Sequence, residues 1–311
     1  MASLKEVKSR IASVRNTLQI TSAMKMVSAA KLHHAQQAIQ GMHPYEEKLH
    51  SILTDLLSAN GSEAIMEGAF SRPQPVVDEI EMEEQVAQKR VAVVVFSSNS
   101  SLCGGFNANI IKNFKKLIEE LNQNGFSNSD IYVYAVGKKI SVAARKMGFE
   151  QKNDYSHLAE HPSYNEVSSL GKKLMEDYLE GRVDKVILLY NHYASNSNQP
   201  TVQETWLPLS LPNAENAGSH PEKALEEGEE LIVEPSAKEL IEELLPKVLL
   251  QKVYTVLLDA NAAEHAARTV AMQIASDNAE KLLDELTLEY NKTRQQKITA
   301  EILDLVGGLQ R

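Results

Sequence analysis

Cysteine is almost absent from this sequence of 311 residues, which contains only Cys103. A single cysteine excludes an internal disulfide and any metal site built from several cysteines, and it fits a reducing compartment. Long apolar runs are also missing, since the longest obvious one, VAVVVF at 91–96, is far shorter than the ~20 residues that cross a bilayer. The N-terminus lacks the apolar segment and cleavage site of a secretory signal. We therefore expect no membrane span and no export.

Basic residues are in deficit overall, and the formal net charge is −10. This balance argues against nonspecific binding to nucleic acid or to anionic lipid, both of which select for a basic excess. The charge is unevenly distributed, because residues 1–40 carry six Lys and Arg against one Glu, whereas residues 215–243 carry ten Glu against two Lys. The basic segment is either a surface that meets an acidic partner, in this chain or another, or a solvated helix face.

Glycine and proline are missing from two long stretches, residues 1–40 and 247–306. As helices they would be about 60 Å and 90 Å long. Gly41 and Pro44 predict an interruption after the first stretch. Steps of three and four residues along this stretch give an unbroken heptad register with three polar entries. The predicted seam consists of Leu4, Val7, Ile11, Val14, Leu18, Thr21, Lys25, Ser28, Leu32, Ala35 and Ile39.

The second long helix is predicted to begin near Ser236, because Glu239 three residues later completes a capping-box pattern. Pro246 predicts a kink or a restart within this helix. Neither terminal helix could bury its apolar stripe alone, so the most economical arrangement is an antiparallel coiled coil between the two.

Between the two helices the pattern is that of an α/β domain. Short apolar runs at 90–96, 131–137 and 183–193 are typical of buried parallel strands, and QPTVQETWLPL predicts a fourth, antiparallel strand. Helical segments separate the first three strands. The fold class is thus α/β plus all-α: a long antiparallel coiled coil of the N- and C-terminal helices with a central Rossmann-like α/β domain. The predicted divisions are an N-terminal helix at 1–59, an acidic linker at 60–89, the α/β domain at 90–211, an acidic insertion at 212–235 and a C-terminal helix at 236–311.

The turn SNSSLCGGFNAN after the first strand is the best candidate for a phosphate cradle, since a glycine turn entering a helix points N–H groups at an anion. It matches neither nucleotide-binding glycine pattern, and the favoured interpretation is that Gly104 and Gly105 let the chain turn against a neighbouring element. Cys103 is interpreted as a small buried thiol. We predict no catalytic residue and no bound cofactor.

Histidine pairs are the other candidates for a metal site. His33 and His34 would point about 100° apart on a helix, which does not suit a shared metal. His157 and His161 have a suitable spacing, but Pro162 argues against a helix there. No metal is expected at either pair.

Small residues replace the expected Leu and Ile in the segment QITSAMKMVSAAKL, residues 19–32. Met24 belongs to an apolar face with Ile20 and Val27, which favours core packing, but methionine also packs adaptably against a partner that changes shape. Around it Thr, Ser and Ala leave several faces of the helix open to close approach.

Three segments of the chain resemble the gamma subunit of F-type ATP synthase. LKEVKSRIASVRNTLQITSAMKMVSAAKL is similar to that family's N-terminal shaft helix, SSNSSLCGGFNANI to the opening of its central domain, and AAEHAARTVAMQIASDNAEKLLDELTLEYNKTRQQKITAEIL to its C-terminal shaft helix. The segments occur in the family's order and spacing. The end differs, because Gly307, Gly308 and Leu309 stand where the family pattern has Gly-Ala.

The resemblance implies a noncatalytic rotor that turns inside a ring of alpha and beta subunits. It also implies that the central domain contacts the epsilon subunit and the membrane c ring, in a complex on the cytoplasmic face of the bacterial inner membrane. A shaft that faces six subunits in turn cannot fit one deep hole, so small residues at its collar would keep it free to turn. Replacing Ala23 or Ser28 with Trp is then expected to slow turnover.

By family analogy, a set of shaft residues is expected to contact the alpha and beta ring. They are Arg10, Met24, Lys25, Arg294, Gln295, Thr299, Ile302 and Leu305. The polar TRQQK segment is expected to face the same level of the ring as the basic residues of the N-terminal helix. The final apolar turn, which includes Ile298 and Leu309, is expected to occupy an apolar socket.

Two other functions remain open at the level of sequence. An enzyme could use the glycine turn of the α/β domain, in which case the isolated chain would bind nucleotide. A coiled-coil scaffold with a Rossmann-like interaction domain could bind nucleic acid through its basic helix, in which case the association would weaken with salt.

Overall fold

The computed structural model describes residues 3–60, 70, 90–150, 153–209 and 236–308. The acidic segments predicted at 60–89 and 212–235 lie outside the described residues, apart from Asn60 and Phe70. Leu309 lies outside them as well. Two helices and a four-stranded sheet with three further helices account for most of the described chain.

The two terminal helices are α1, Leu4–Asn60, and α5, Ala237–Gly308. With 57 and 72 residues they are about 86 Å and 108 Å long at 1.5 Å per residue. They pair antiparallel, so the predicted coiled coil is confirmed. All eleven predicted seam positions of α1 are buried or half-buried, which confirms the heptad register. The fully buried seam residues are Val7, Thr21, Ser28, Leu32 and Ala35.

The interruption expected at Gly41 and Pro44 is wrong, because α1 continues through both residues to Asn60. A proline inside a helix costs about 3 kcal/mol. Burial on both sides of the proline, at Ala35 and Leu49, offsets this cost by holding the helix in place. Similarly, α5 continues through Pro246 without a restart. Its start is as predicted, since the backbone N–H of Glu239 donates to Ser236 Oγ at 3.3 Å.

The central domain contains a sheet of four strands: β1 at Val91–Phe96, β2 at Ile131–Val136, β3 at Lys185–Asn191 and β4 at Thr201–Leu207. Their order in the sheet is β2-β1-β3-β4. Strands β1 and β2 run parallel, as do β1 and β3, whereas β4 is antiparallel to β3, so the predicted fourth strand and its direction are confirmed. The helices are α2 at Phe106–Gln123, α3 at Lys138–Lys146 and α4 at Tyr164–Leu179.

Alternate residues of β1 enter two separate apolar cores. Val91, Val93 and Val95 pack with α2 and α3 on one face of the sheet. Ala92, Val94 and Phe96 face the other side, where α4 and the first part of α5 pack. The first part of helix α5 therefore belongs to the core of the domain, and the rest of α5 is one of the two helices of the coiled coil. No described residue of α1 belongs to either core.

Candidate functional site

The coiled coil leaves the domain as a two-helix shaft, and one polar contact fixes its register. The hydroxyl of Thr21 lies 2.8 Å from the hydroxyl of Ser276. Because antiparallel helices advance in opposite directions, the start of α1 lies level with about residue 294 of α5. The remaining turns of α5 then project past α1 as a single helix of about 20 Å.

The small residues of the α1 segment at 19–32 divide into two groups. Thr21 and Ser28 are buried in the seam against α5, whereas Ala23, Ala29 and Ala30 are exposed. The exposed surface is not uniformly small, since Ile20, Met26 and Val27 each expose more than half of their area at 59%, 67% and 58%. An apolar surface of this kind on an extended helix is typical of a contact with another chain.

The distal part of α5 presents the same type of surface. Leu288, Ile302, Leu303 and Leu305 are exposed by 75%, 53%, 65% and 70%. Ile298 is also exposed. Within the described chain nothing covers these side chains, and an isolated helix in water would not favour so many of them on its surface.

The predicted contact residues do not share one level of the shaft. Arg10 is exposed and pairs with Glu6 at 3.4 Å, while Met24 and Lys25 are half-buried. Arg294 and Gln295 are exposed on the projecting part of α5. From the helix register they lie about 10 Å along the axis from Arg10 and about 33 Å from Lys25. The expectation of a common level is therefore wrong for Lys25.

Thr299 is also exposed on the projecting helix, where its hydroxyl donates to the carbonyl of Gln295 at 2.9 Å. This bond lies within the helix. The oxygen of the hydroxyl keeps acceptor capacity for a group outside the chain.

A buried charged cluster at the base of the shaft was not anticipated from the sequence. Arg268 donates to Glu264 Oε1 at 2.7 Å, and both side chains are less than 10% exposed. The guanidinium also donates to the carbonyl of Ser101, which ties α5 to the turn after β1. The spacing of four residues between Glu264 and Arg268 in a helix was the available signal.

Burial dominates the titration of this cluster. It raises the pKa of Glu264, although the hydrogen bond and charge of Arg268 act in the opposite direction. Burial, followed by the charges of Lys31 and Arg268, lowers the pKa of His265 to about 4. His265 Nδ1 is buried without a hydrogen-bond partner in the described chain. A cleft of about 330 Å³ between α1, α5 and the turn after β1 contains these groups and Met24.

The turn after β1 packs closely against α5 and has a structural role. Gly104 has φ +57°, and a Cβ added there would lie 3.8 Å from the Cβ of Ala271 in α5. Cys103 is 2% exposed, and the side-chain amide of Asn107 donates to its sulfur at 3.0 Å. These observations confirm the buried thiol, and they confirm the turn against a neighbouring element for Gly104. Gly105 has an ordinary helical φ of −80°, so the prediction does not hold for that glycine. His33 and His34 are exposed, and His157 contacts Glu166.

The described residues contain no cluster of three or more potential metal ligands. No described helix has the length and apolar character of a membrane span.

Comparison with known proteins identifies the family. A family model described as "ATP synthase" matches residues 3–310. The ATP synthase gamma chain of Phocaeicola vulgatus is 50% identical over 311 residues, covering 99% of each chain. That of Bacteroides fragilis is 51% identical over 308 residues with 99% coverage of each.

Solved structures share the fold at low identity. The rotor of the Euglena gracilis mitochondrial ATP synthase matches 95% of this chain and 98% of its own, with a TM-score of 0.55 and 17% identity. A chain from the central stalk and c ring of the Tetrahymena thermophila mitochondrial enzyme covers 83% of this chain and 99% of its own, with a TM-score of 0.51 and 20% identity. With a matching family model and relatives of about 50% identity over nearly the whole length, this chain belongs to the ATP synthase gamma chain family.

Proposed function

We propose that this chain is the central-stalk rotor of a proton-translocating ATP synthase and that its coiled coil turns inside a ring of alpha and beta subunits. The observation that carries the proposal is the shaft itself: two long helices leave the α/β domain and expose apolar side chains along their length. A static coiled coil would bury such residues against a permanent partner. The chain is a noncatalytic subunit, and ATP is made or hydrolysed elsewhere in the complex.

The shaft acts on the ring through contacts that differ from one angle to the next. Switching a two-state site from 1:99 to 99:1 requires about 5.5 kcal/mol of differential binding. Two to four hydrogen bonds to charged groups, at about 1.5–3 kcal/mol each, supply this amount. Arg10, Lys25, Arg294, Gln295 and Thr299 are the polar groups proposed to make them. Because these residues occupy several levels of the shaft, they contact the ring at several heights rather than in one belt.

The apolar end of α5 is proposed to sit in an apolar socket of the ring. Ile302 and Leu305 lie past the start of α1, where a single helix offers no seam to cover them. Met24 is proposed to pack against the ring from the edge of the cleft at the base of the shaft. Removal of this exposed apolar area from water stabilises the assembled state by about 25 cal/mol per Å².

The α/β domain is proposed to form the foot of the rotor, in contact with the epsilon subunit and the c ring. Torque derived from proton flow enters there and passes to the shaft. The complex is proposed to lie on the cytoplasmic face of the bacterial inner membrane, with this chain as a peripheral component. No nucleic acid is involved, in keeping with the net charge of −10.

Purification of the complex from its native source tests the assignment. Alpha, beta, epsilon and c subunits are expected to co-purify with this chain in fixed proportion. Recovery of the chain without alpha and beta subunits would instead support a coiled-coil scaffold. Nucleotide binding by the isolated chain, measured by calorimetry, would support the enzyme alternative.

A tryptophan placed on the shaft tests the need for small outward residues. Ala23 is exposed, so Ala23→Trp is expected to slow ATP hydrolysis by the assembled complex and to leave the helix content of the isolated chain unchanged. Ser28 is 3% exposed in the seam and is unsuitable, because a tryptophan there would disrupt the coiled coil itself. Lys115→Trp on the exposed face of α2 is the matched control. Equal activity of the two variants would contradict this part of the proposal.

A further inference from the structure

The turn between β3 and β4, residues 192–200, lies where the coiled coil meets the α/β domain. Its ends are fixed on the sheet, since the backbone N–H of His192 donates to the carbonyl of Pro200 at 2.8 Å. Asn191 donates through its amide to the carbonyl of Phe106 at 3.2 Å and accepts a bond from Thr201 at 2.6 Å. The turn is therefore a firm extension of the domain.

One carboxylate of α5 holds this turn with both of its oxygens. Asp259 Oδ1 accepts the backbone N–H of Tyr193 at 2.9 Å, and Asp259 Oδ2 lies 2.6 Å from His192 Nδ1. The Asp259 side chain is only 14% exposed. Such partly desolvated hydrogen bonds to a charged group are stronger than neutral ones. The position of α5 relative to the turn is thus fixed by polar bonds as well as by the apolar core.

Tyr193 extends the same connection to α1. Its ring packs against Leu32, Ala35, Ala262 and Ala266, the small cluster that α1 and α5 share. The ring also packs against the separate cluster of Cys103, Phe106, Ala263 and Ala267. Its hydroxyl accepts a bond from Gln36 Nε2 at 2.9 Å and donates to Asn196 Oδ1 at 2.8 Å. One side chain therefore contacts both helices of the shaft and the domain.

The two helices of the shaft differ in how the domain holds them. The first part of α5 is embedded in the apolar core on one face of the sheet, whereas no described residue of α1 belongs to the core on either face. A twisting force on the domain therefore acts directly on α5 but reaches α1 only through the seam or through contacts at the base.

We propose that Gln36, His192, Tyr193 and Asp259 form a clamp that fixes α1 to the α/β domain, so that torque entering the domain reaches both helices of the shaft. The Tyr193 clamp positions the shaft and takes no part in chemistry. This inference rests on the proposed rotor function. It assigns to the clamp a role in coupling that is separate from any contact with the ring.

Variants of the assembled complex test the clamp. Tyr193→Phe keeps the ring packing and removes both bonds of the hydroxyl, and Gln36→Ala removes the bond to α1 alone. Loss of a hydrogen bond of ordinary net strength is expected to raise the hydrogen-exchange rate of the 189–200 peptide by about two- to tenfold. ATP-driven proton pumping in membrane vesicles is expected to fall relative to ATP hydrolysis, with hydrolysis itself unchanged.

Lys252→Ala is the matched control, because the 3.1 Å pair of Lys252 and Glu204 ties α5 to β4 without involving α1. It is expected to leave the ratio of pumping to hydrolysis unchanged. An unchanged ratio in Tyr193→Phe and Gln36→Ala, or an equal loss in the control, would overturn the clamp. The proposed rotor function would be affected only if the wild-type complex itself pumped no protons during hydrolysis.

Discussion

The two parts of α5 occupy opposite environments although they form one continuous helix. Between Ile241 and Arg268 most side chains are buried against the sheet, α4 and α1. Between Asp277 and Leu305 most are exposed, and Leu288 shows 75% of its area to solvent. The first part is held by an apolar core, and the second by a narrow seam. A single helix thus serves as a structural member of a domain and as a projecting shaft, which gives force a continuous path between them.

Among the variants that compare the buried base with the exposed shaft, disruption of the buried ion pair is expected to change the free energy of unfolding most. Arg268→Ala leaves the Glu264 carboxylate buried without its partner, which is expected to lower the free energy of unfolding by about 3–5 kcal/mol. The matched variant Arg10→Ala removes an exposed pair of the same spacing and is expected to cost about 0–0.5 kcal/mol. Urea denaturation of the full chain measures both. If both variants lost a similar amount of unfolding free energy, the contrast between a tightly packed base and an exposed shaft would be contradicted.

A leucine truncation tests the same contrast without charge. Leu174 of α4 is fully buried in the core that contains the first part of α5. Leu174→Ala is expected to lower the free energy of unfolding by about 2–5 kcal/mol, because a cavity remains. Leu288→Ala on the shaft is expected to change it by less than about 0.5 kcal/mol. A large loss for Leu288→Ala in the isolated chain would show that the shaft surface is covered.

The buried histidine at the base of the shaft predicts that the stability of the chain depends on pH. The pKa of His265 is about 4 in the folded chain and near 6.5 when unfolded, so the unfolded state binds more protons between these values. Stability is therefore expected to fall as the pH decreases from about 6.5 to 4, by up to about 3 kcal/mol. The raised pKa of Glu264 acts in the opposite direction, so the relevant quantity is the difference from His265→Gln. If the stability of the wild-type chain and of His265→Gln changed with pH in the same way, the protonation of His265 would not be the cause.

Substitutions in the seam between α1 and α5 are expected to change stability least. Thr21→Val leaves the buried Ser276 hydroxyl with its bond to Thr21 removed, which is expected to cost about 1 kcal/mol. The double variant Thr21→Val with Ser276→Ala removes both groups and is expected to recover part of this loss. Thermal unfolding of the isolated chain provides the comparison. A double variant less stable than the single one would contradict the seam contact.

Most of the fold could be predicted from local sequence patterns, because its helices and strands are specified by residues close together in the sequence. The heptad of α1 and the apolar runs of β1 to β3 specify a seam and a sheet through periodicity alone. The expected break at Pro44 is wrong because tertiary packing overrides a local cost. Proline propensity describes an isolated helix, whereas α1 has buried side chains on both sides of this residue, at Ala35 and Leu49.

Contacts between distant segments could not be predicted from the same patterns. Tyr193 and Asp259 are separated by 66 residues, and the level of Arg294 relative to Lys25 depends on a register set by Thr21 and Ser276. Besides the spacing of Glu264 and Arg268, the alanines between Ala260 and Ala267 were an overlooked signal, since small side chains on two faces of a helix allow close neighbours on both. The contact residues proposed on the shaft stay predictions that rest on family resemblance.

Direct observation of rotation tests the central claim that the shaft and the α/β domain turn as one body. Lys112 is exposed on α2, so Lys112→Cys provides a labelling site while Cys103 stays buried. With the alpha and beta ring fixed to a surface, a probe on this cysteine is expected to rotate continuously in one direction during ATP hydrolysis. A probe that stays still while the same molecules hydrolyse ATP would contradict the account.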